Sequence, residues 1–374
     1  PGDAVETTVM IEFRHNPSPT IGVEVELHLV DATTGDLVAA ANEILDELGR
    51  GHPGGEHPKA KHELFQSTVE IITGICRTPA EALEDLRTTL DELVAAATPR
   101  GIKLVSSGSH PFGIAREQLI SPDPRYHELV EAMQWPARRL LICGMHVHVG
   151  VKDGERAITI INELRRHLPL FLALSASSPY FEGEDSGLAS ARSKVFEALP
   201  TAGLPPQLDD WHDFESFMST LLAAECIRSI REVWWDIRPH PDFGTIEFRM
   251  CDATPTLSEA TALAGLAQTL VVWCDEQIDR GVLPPPPREW TVRENRWLAG
   301  RYGIDAQLIM HDDTDRAGKP ARQPLVDVLD QLLNELEPTA AALGTEAELA
   351  RVRRIAEEGA GTERQRRLIE GGAS

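Results

Sequence analysis

The stretch Thr20-Ile21-Gly22-Val23-Glu24-Val25-Glu26-Leu27-His28-Leu29-Val30 decides the fold. Ile21, Val23, Val25, Leu27 and Leu29 alternate with Gly22, Glu24, Glu26 and His28. Successive side chains of a strand point to opposite faces, so a period of two predicts a β-strand with one apolar face and one face of glutamates and a histidine. Turn residues at 31–35 end it. Two later segments, within expected strands 140–151 and 244–250, repeat the pattern. In Met145-His146-Val147-His148-Val149-Gly150 the two histidines and Gly150 oppose Met145, Val147 and Val149. In Thr245-Ile246-Glu247-Phe248-Arg249 the residues Thr245, Glu247 and Arg249 oppose Ile246 and Phe248.

One solvated face is common in antiparallel sheets and is the bland reading of any single strand. These three faces, however, carry no lysine and are rich in Glu, His and Arg, the types that hold divalent cations and anions. Carboxylate oxygens suit Mg²⁺ or Mn²⁺, and imidazole favours the softer Mn²⁺. Glu63 and Glu70 add two acids seven residues apart. A regular strand would turn them to opposite faces, whereas a bulge, a turn or a helical turn between them would bring both to one side. Ordinary surface acids remain the other reading of this pair. Arg192, after a Gly/Ser-rich loop, Arg238, before Pro239, and Arg249 are candidate clamps for carboxylate or phosphate.

Elsewhere, Thr78-Pro79-Ala80-Glu81 has the form of a capping box with Pro at the first helical position, opening a helix with Leu83, Leu86, Leu90, Leu93 and Val94 on one face. Further helical patterns cover 155–168 and 213–231. A long apolar helix, with Ser258 as N-cap, ends at Gly281. It reads as core, with a homo-oligomer interface as the alternative. Pro284-Pro285-Pro286-Pro287 is the clearest linker, and the chain beyond it reads as polar and helical, over 324–343 and 345–358. No βαβ rhythm and no Gly-rich phosphate loop occur. The expected fold is therefore α+β, a largely antiparallel curved sheet flanked by helices. Residues 1–283 would form the catalytic domain and 284–374 a helical extension packed on it.

The net charge of −23, with no long basic block, argues against a nucleic-acid or anionic-membrane partner, whose phosphates need clustered Lys and Arg. Five widely spaced cysteines without CxxC read as reduced thiols rather than a disulfide framework or structural zinc site. The stretch 1–8 is polar and acidic, without a secretory signal, and no apolar run approaches membrane-spanning length. A cytoplasmic protein acting on small molecules is the expectation.

Several segments closely resemble the carboxylate–amine ligase family of bacterial glutamate–cysteine ligases, type 2. These are IGVEVELHLVD (21–31), CGMHVHVGV (143–151), LALSASSPYFEGEDSGLASAR (172–192) and WWDIRPHPDFGTIEFRMCD (234–252), with PTAGLPP (200–206), RENRW (293–297) and RYG (301–303). The likeness runs in order along nearly the whole chain. That family in turn resembles the catalytic half of glutamine synthetase, in its Gly-Met-His-x-His and Glu-x-Arg strands. The resemblance implies an ATP- and Mg²⁺-dependent ligase that joins a carboxylate to an amine through an acyl phosphate, most simply glutamate to cysteine. It further implies that Glu26, Glu63 and Glu70 hold one metal and Glu24, His146 and Glu247 another. Arg192, Arg238 and Arg249 would hold substrate carboxylate and transferred phosphate, and His148 and Arg238 the nucleotide. Val25, His28 and Ile114-Ala115-Arg116 depart from the family pattern, which bears on the substrate pocket more than on the chemistry. A guanidino-kinase-type phosphotransferase on the same sheet and a non-catalytic nucleotide- or amino-acid-binding protein are the competing readings.

Overall fold

A computed structural model describes residues 10–314 and 320–372, so the acidic stretch 1–8 lies outside the described residues. The strands are β1 (Ile21–Asp31), β2 (Ala60–His62), β3 (Thr68–Ile72), β4 (Ile102–Val105), β5 (Met145–Gly150), β6 (Tyr180–Phe181), β7 (Glu184–Asp185), β8 (Ile237–His240), β9 (Thr245–Phe248), β10 (Gln307–Thr314) and β11 (Pro320–Pro324). Seven of them form one sheet in the order β2-β3-β1-β5-β9-β8, with β4 pairing the far end of β1. Every pairing in it is antiparallel. The class is thus α+β, as the mixed pattern predicts.

β1 is the hub, because it alone pairs with three strands. Its apolar set, Ile21, Val23, Val25, Leu27 and Leu29, is buried together with Val147, Val149, Ile246 and Phe248. Against that face lies the helix Leu257–Arg280, which contacts β1 and β5 and is itself covered by the helices Pro79–Ala97 and Glu346–Glu358. By length and composition this helix could cross a membrane, contrary to the expectation of no such stretch, but 78% of its apolar window is buried inside the protein.

Register places the other face. Glu24 stands opposite His146 and Glu26 opposite Glu70. His148 stands opposite Glu247, and Glu247 opposite Arg238. A one-residue slip in any pair would send these charged side chains into the core, so the buried aliphatic set also fixes the polar row.

Several boundaries differ from expectation for local reasons. The expected strand 140–151 shortens to β5, preceded by a 3-10 turn, Ala137–Arg139. The pattern 155–168 divides into helices Gly154–Leu164 and Leu168–Ser175, because Pro169 has no N–H for the ladder and starts a new helix. Helix Trp211–Ala223 stops where Glu225 takes φ 54°, short of the expected 231. Thr256, not Ser258, caps the long helix, its hydroxyl accepting from the Glu259 N–H at 3.2 Å. Thr78 caps its helix as read, its hydroxyl accepting from the Glu81 N–H, but the Glu81 carboxylate accepts from the Arg77 N–H rather than from that of Thr78. Its helix, however, leaves Val94 exposed and buries Ala82, Ala96 and Ala97 instead.

Beyond the Pro-rich stretch the helices Glu289–Tyr302, Leu325–Leu343, Glu346–Glu358 and Gly361–Glu370 are joined by a β10–β11 hairpin where only helix was expected. Leu298, Leu325, Leu329, Val352 and Ile355 enter the same apolar cluster as the sheet.

Leu263 is fully buried in the long helix. Leu263→Ala is expected to destabilise the protein by about 2–5 kcal/mol, read from denaturant unfolding; a loss under about 1 kcal/mol would contradict this placement of the core.

Candidate active site

The polar face of the sheet floors a cleft of about 510 Å³, lined by all ten residues singled out in the sequence: Glu24, Glu26, Glu63, Glu70, His146, His148, Arg192, Arg238, Glu247 and Arg249. Glu63 and Glu70 reach it from a hairpin. β2 ends at His62 and β3 begins at Thr68, so the intervening turn brings both acids to one side. The two residues are therefore not surface acids.

Glu26, Glu63 and Glu70 offer carboxylate oxygens within 4.8 Å of one another, as do the donor sets Glu24, Glu70, His146 and Glu24, His148, Glu247. Three carboxylates this close repel. Burial, followed by the charge of Glu26, pushes Glu63 up to about 8. Burial, then Glu24 and Glu63, raises Glu70 well above the usual carboxylate range. Without cations, this cluster keeps protons that free carboxylates would lose. The oxygen-only donor set and its missing positive charge fit a hard divalent ion.

Glu24 and Glu247 behave oppositely. Burial resists ionisation of Glu24, but hydrogen bonds from His146 (2.8 Å) and His148 (3.5 Å) outweigh it and hold the carboxyl low. Burial likewise opposes Glu247, yet Arg249 and Arg238 keep it ionised. Arg238 Nε donates to Glu247 at 2.7 Å, and Arg249 donates to its other oxygen. Burial counts against charge on His148, while Glu247 and Glu24 together raise its pKa. The sheet thus brings Glu247 to His148 and Glu24, whereas His146 sits with Glu24 and Glu70.

The arginines are not equivalent. Arg238 spends its guanidinium on Glu247 and on the carbonyls of Ile230 and Val233, both at 2.6 Å. The Arg192 guanidinium makes long contacts to the carbonyls of Met250 (3.3 Å) and Arg249 (3.4 Å) and lies over the Phe196 ring at 5.5 Å, while its Nε has no partner among the described residues. Arg249 Nε is likewise unpartnered. Each of these two cleft-lining arginines thus keeps one buried N–H donor without an acceptor among the described residues.

Arg192 is placed by residues that pattern reading missed. Asp252, fully buried, accepts from the hydroxyls of Ser178 (2.6 Å) and Ser190 (2.8 Å) and from the Ser177 N–H (2.9 Å). Ser178 in turn accepts from the Arg192 N–H at 3.0 Å. Gly144 leaves room for the guanidinium, since a Cβ there would lie 2.1 Å from an Arg192 nitrogen. Lys61, Arg125, Tyr126, Arg231, Trp234 and His240 also line the cleft. Of these, Lys61 on β2 opposite Glu70 and His240 on β8 opposite Thr245 share the strand parity that marks the floor. Val25, His28 and residues 114–116, the departures from the family pattern, do not line the cleft; His28 is buried against His110 and Cys143.

A second cavity of about 590 Å³ adjoins the cleft and shares Glu24, His148 and Phe243 with it. Gly22, Val23, Ile72, Thr73 and Ile75 line it. Phe243 stacks on His240, with ring centroids 4.1 Å apart.

The cleft joins carboxylates that could hold cations to arginines with unpartnered donors, and the fold around it is shared with a solved glutamate–cysteine ligase. A crystal structure of glutamate–cysteine ligase from Francisella tularensis in complex with AMP superposes with TM-score 0.68 at 12% identity, covering 97% of this chain and 86% of that one. A bifunctional glutathione synthetase from Pasteurella multocida gives TM-score 0.62 at 14% identity, covering 95% of this chain and 50% of that one. The family model Glutamate-cysteine ligase family 2 matches residues 20–373, and the chain belongs to that family. Relatives named "Putative glutamate--cysteine ligase 2" in Thermobifida fusca (50% identical, 97% of this chain, 89% of the relative) and "Putative glutamate--cysteine ligase 2-1" in Frankia alni (52%, 96% and 92%) align along almost their full length. The protein is thus an enzyme of the carbon–nitrogen ligase class.

Two outcomes follow from this geometry. Gly144→Ala is expected to displace Arg192 and cut turnover at least tenfold while the circular dichroism spectrum stays unchanged; turnover equal to wild type would contradict the placement. Glu63, at about 8 when folded against an ordinary 4.5, retains a proton that the unfolded chain loses. Its stabilising contribution is therefore complete below 4.5 and is lost as pH rises through 8. In chelator, thermal unfolding should decline more steeply across this window for wild type than for Glu63→Gln. Identical slopes would show that Glu63 titrates normally.

Proposed function

We propose that the enzyme makes an amide from glutamate and cysteine at the expense of ATP, through a γ-glutamyl phosphate. What carries this reading is the meeting, in one cleft, of a carboxylate cluster short of positive charge and two buried arginines with unused donors. The names of the relatives and the nucleotide in the Francisella structure supply the substrates.

The chemistry poses an electrostatic problem. A carboxylate must approach a polyphosphate, and two unit charges about 4 Å apart repel by about 4 kcal/mol at an effective dielectric of 20. Glu26, Glu63 and Glu70 would hold one divalent ion, and Glu24 another, together with either Glu70 and His146 or His148 and Glu247 rather than the His146–Glu247 combination the resemblance implied. Mg²⁺ fits the oxygen donors, with Mn²⁺ an alternative where imidazole takes part. Bound there, such ions neutralise the phosphates and orient them. Arg192 and Arg249 direct N–H groups at the transferring phosphoryl oxygens or the substrate carboxylate. Arg238 acts chiefly by holding Glu247, since its nitrogens are already engaged.

His148 stands between the two cavities. The nucleotide base and ribose occupy the adjoining cavity beside Phe243, and the phosphates pass His148 into the carboxylate cluster. The glutamate side-chain carboxylate then attacks the γ-phosphorus, expelling ADP. The amine nitrogen, having given up the ammonium proton to solvent, attacks the acyl carbon and expels phosphate, and the second proton it sheds passes to the departing phosphate or to solvent. The thiols are all free and four of the five are buried, which suits a cytoplasmic enzyme.

With glutamate, ATP and Mg²⁺, phosphate release should require cysteine and match the amide counted by mass spectrometry. Arg192→Met should lower kcat about a hundred- to a thousandfold, and Glu26→Gln should abolish metal-dependent turnover. Phosphate release indifferent to the amine, with a stable phosphorylated product, would identify a phosphotransferase instead.

A further inference from the structure

The loop that leads into the short helix Ala191–Phe196, which carries Arg192, is held from two sides. From the sheet side, Asp252 anchors it through Ser178 and Ser190. From the other, the part of the chain beyond residue 284 grips it repeatedly. The carbonyl of Gly300, in helix Glu289–Tyr302, accepts from both the Ala189 N–H (2.9 Å) and the Ser190 N–H (3.0 Å). Thr362, in the last helix, donates its N–H to Ala176 at 2.9 Å and its hydroxyl to Ala189. Gln365 donates to the Ser177 carbonyl at 2.9 Å. Arg366 makes a two-pronged pair with Asp185, at 2.8 and 3.0 Å, and reaches the Leu188 carbonyl at 3.2 Å. Close approach is built in: a Cβ on Gly361 would lie 2.5 Å from the Ser177 Cβ.

The same segment reaches Arg249. Arg296, from helix Glu289–Tyr302, is buried and forks onto Asp236. The Asp236 carbonyl accepts from the Arg249 N–H at 2.7 Å. Arg296 therefore supplies the counter-charge for a buried aspartate in the segment that pins the Arg249 backbone.

We propose that the C-terminal helices are the positioning frame of the anion site, with Arg366 and Thr362 setting Arg192 through the 176–190 loop and Arg296 setting Arg249 through Asp236. None of these residues lines the cleft, so they act through the arginines they place. The inference rests on reading Arg192 and Arg249 as the anion-binding pair. Positional error of about 1 Å at a reacting group costs on the order of a hundredfold in rate, whereas a partly exposed ion pair contributes little to global stability. Loss of the Arg366–Asp185 pair should therefore appear in catalysis before it appears in folding.

The test uses the full chain with Arg366→Gln, Asp185→Asn, the reversed pair Asp185→Arg with Arg366→Asp, and Thr362→Val. Hydrogen exchange over residues 176–192 reports loop order independently of any reaction, and steady-state ligation reports the consequence. Both single charge variants and Thr362→Val are expected to exchange faster in that loop. Their kcat should fall about tenfold with the KM for ATP within about twofold, and the reversed pair should recover most of both losses. Unchanged exchange and unchanged kcat, or a loss that the reversed pair does not recover, overturns the proposal. Absence of amide formation by the wild type would instead count against the ligase reading, and loop exchange would still decide the positioning claim.

Discussion

Mutual repulsion among glutamates on a buried sheet face is the constraint on which the rest of this structure depends. Glu24, Glu26, Glu70 and Glu247 stand on three strands of one sheet, with Glu63 at the adjoining hairpin. Such a face is stable only if each charge is paired, protonated or bound to a cation. All three solutions are in view. Glu247 is paired by Arg238 and Arg249, Glu24 is held by two histidines, and Glu63 and Glu70 are driven towards protonation. The unequal treatment separates an end of the cleft whose carboxylates are held ionised from an end whose carboxylates are driven towards protonation.

Much of this was legible in the sequence, because parity in an antiparallel sheet is unforgiving. Once Ile21, Val23 and Val25 go inward, Glu24 and Glu26 must go outward, and the same holds for His146, His148 and Glu247. Glu63 and Glu70 could not be settled that way, since parity says nothing across an unrecognised hairpin turn. The cap at Thr256 was readable in principle: Thr256 with Glu259 has capping-box spacing, and Ser258 merely lies nearer the apolar run. The β10–β11 hairpin was missed because its strands, rich in Pro, Asp and Gln, lack clean alternation. The family's departures at Val25 and His28 looked like pocket changes, yet both side chains are buried away from the cleft.

What no local pattern could show is long-range support. Asp252, Asp236, Arg296 and Arg366 are separated in sequence from the arginines they serve, and each looks like an ordinary charge until the chain is folded. Arg238 illustrates the converse. It was identified as a substrate clamp by type and position, but its guanidinium is committed to Glu247 and two backbone carbonyls. Residue type identifies candidates for a site, whereas hydrogen-bond accounting separates those that hold ligand from those that hold other residues.

The central claim is that this cleft activates a carboxylate by phosphoryl transfer. Glutamate labelled with ¹⁸O in its side-chain carboxylate, ligated to cysteine with unlabelled ATP, tests it most directly. Attack of that oxygen on the γ-phosphorus requires one labelled oxygen to leave in each inorganic phosphate released. Phosphate free of label, or label recovered in AMP, would contradict the account.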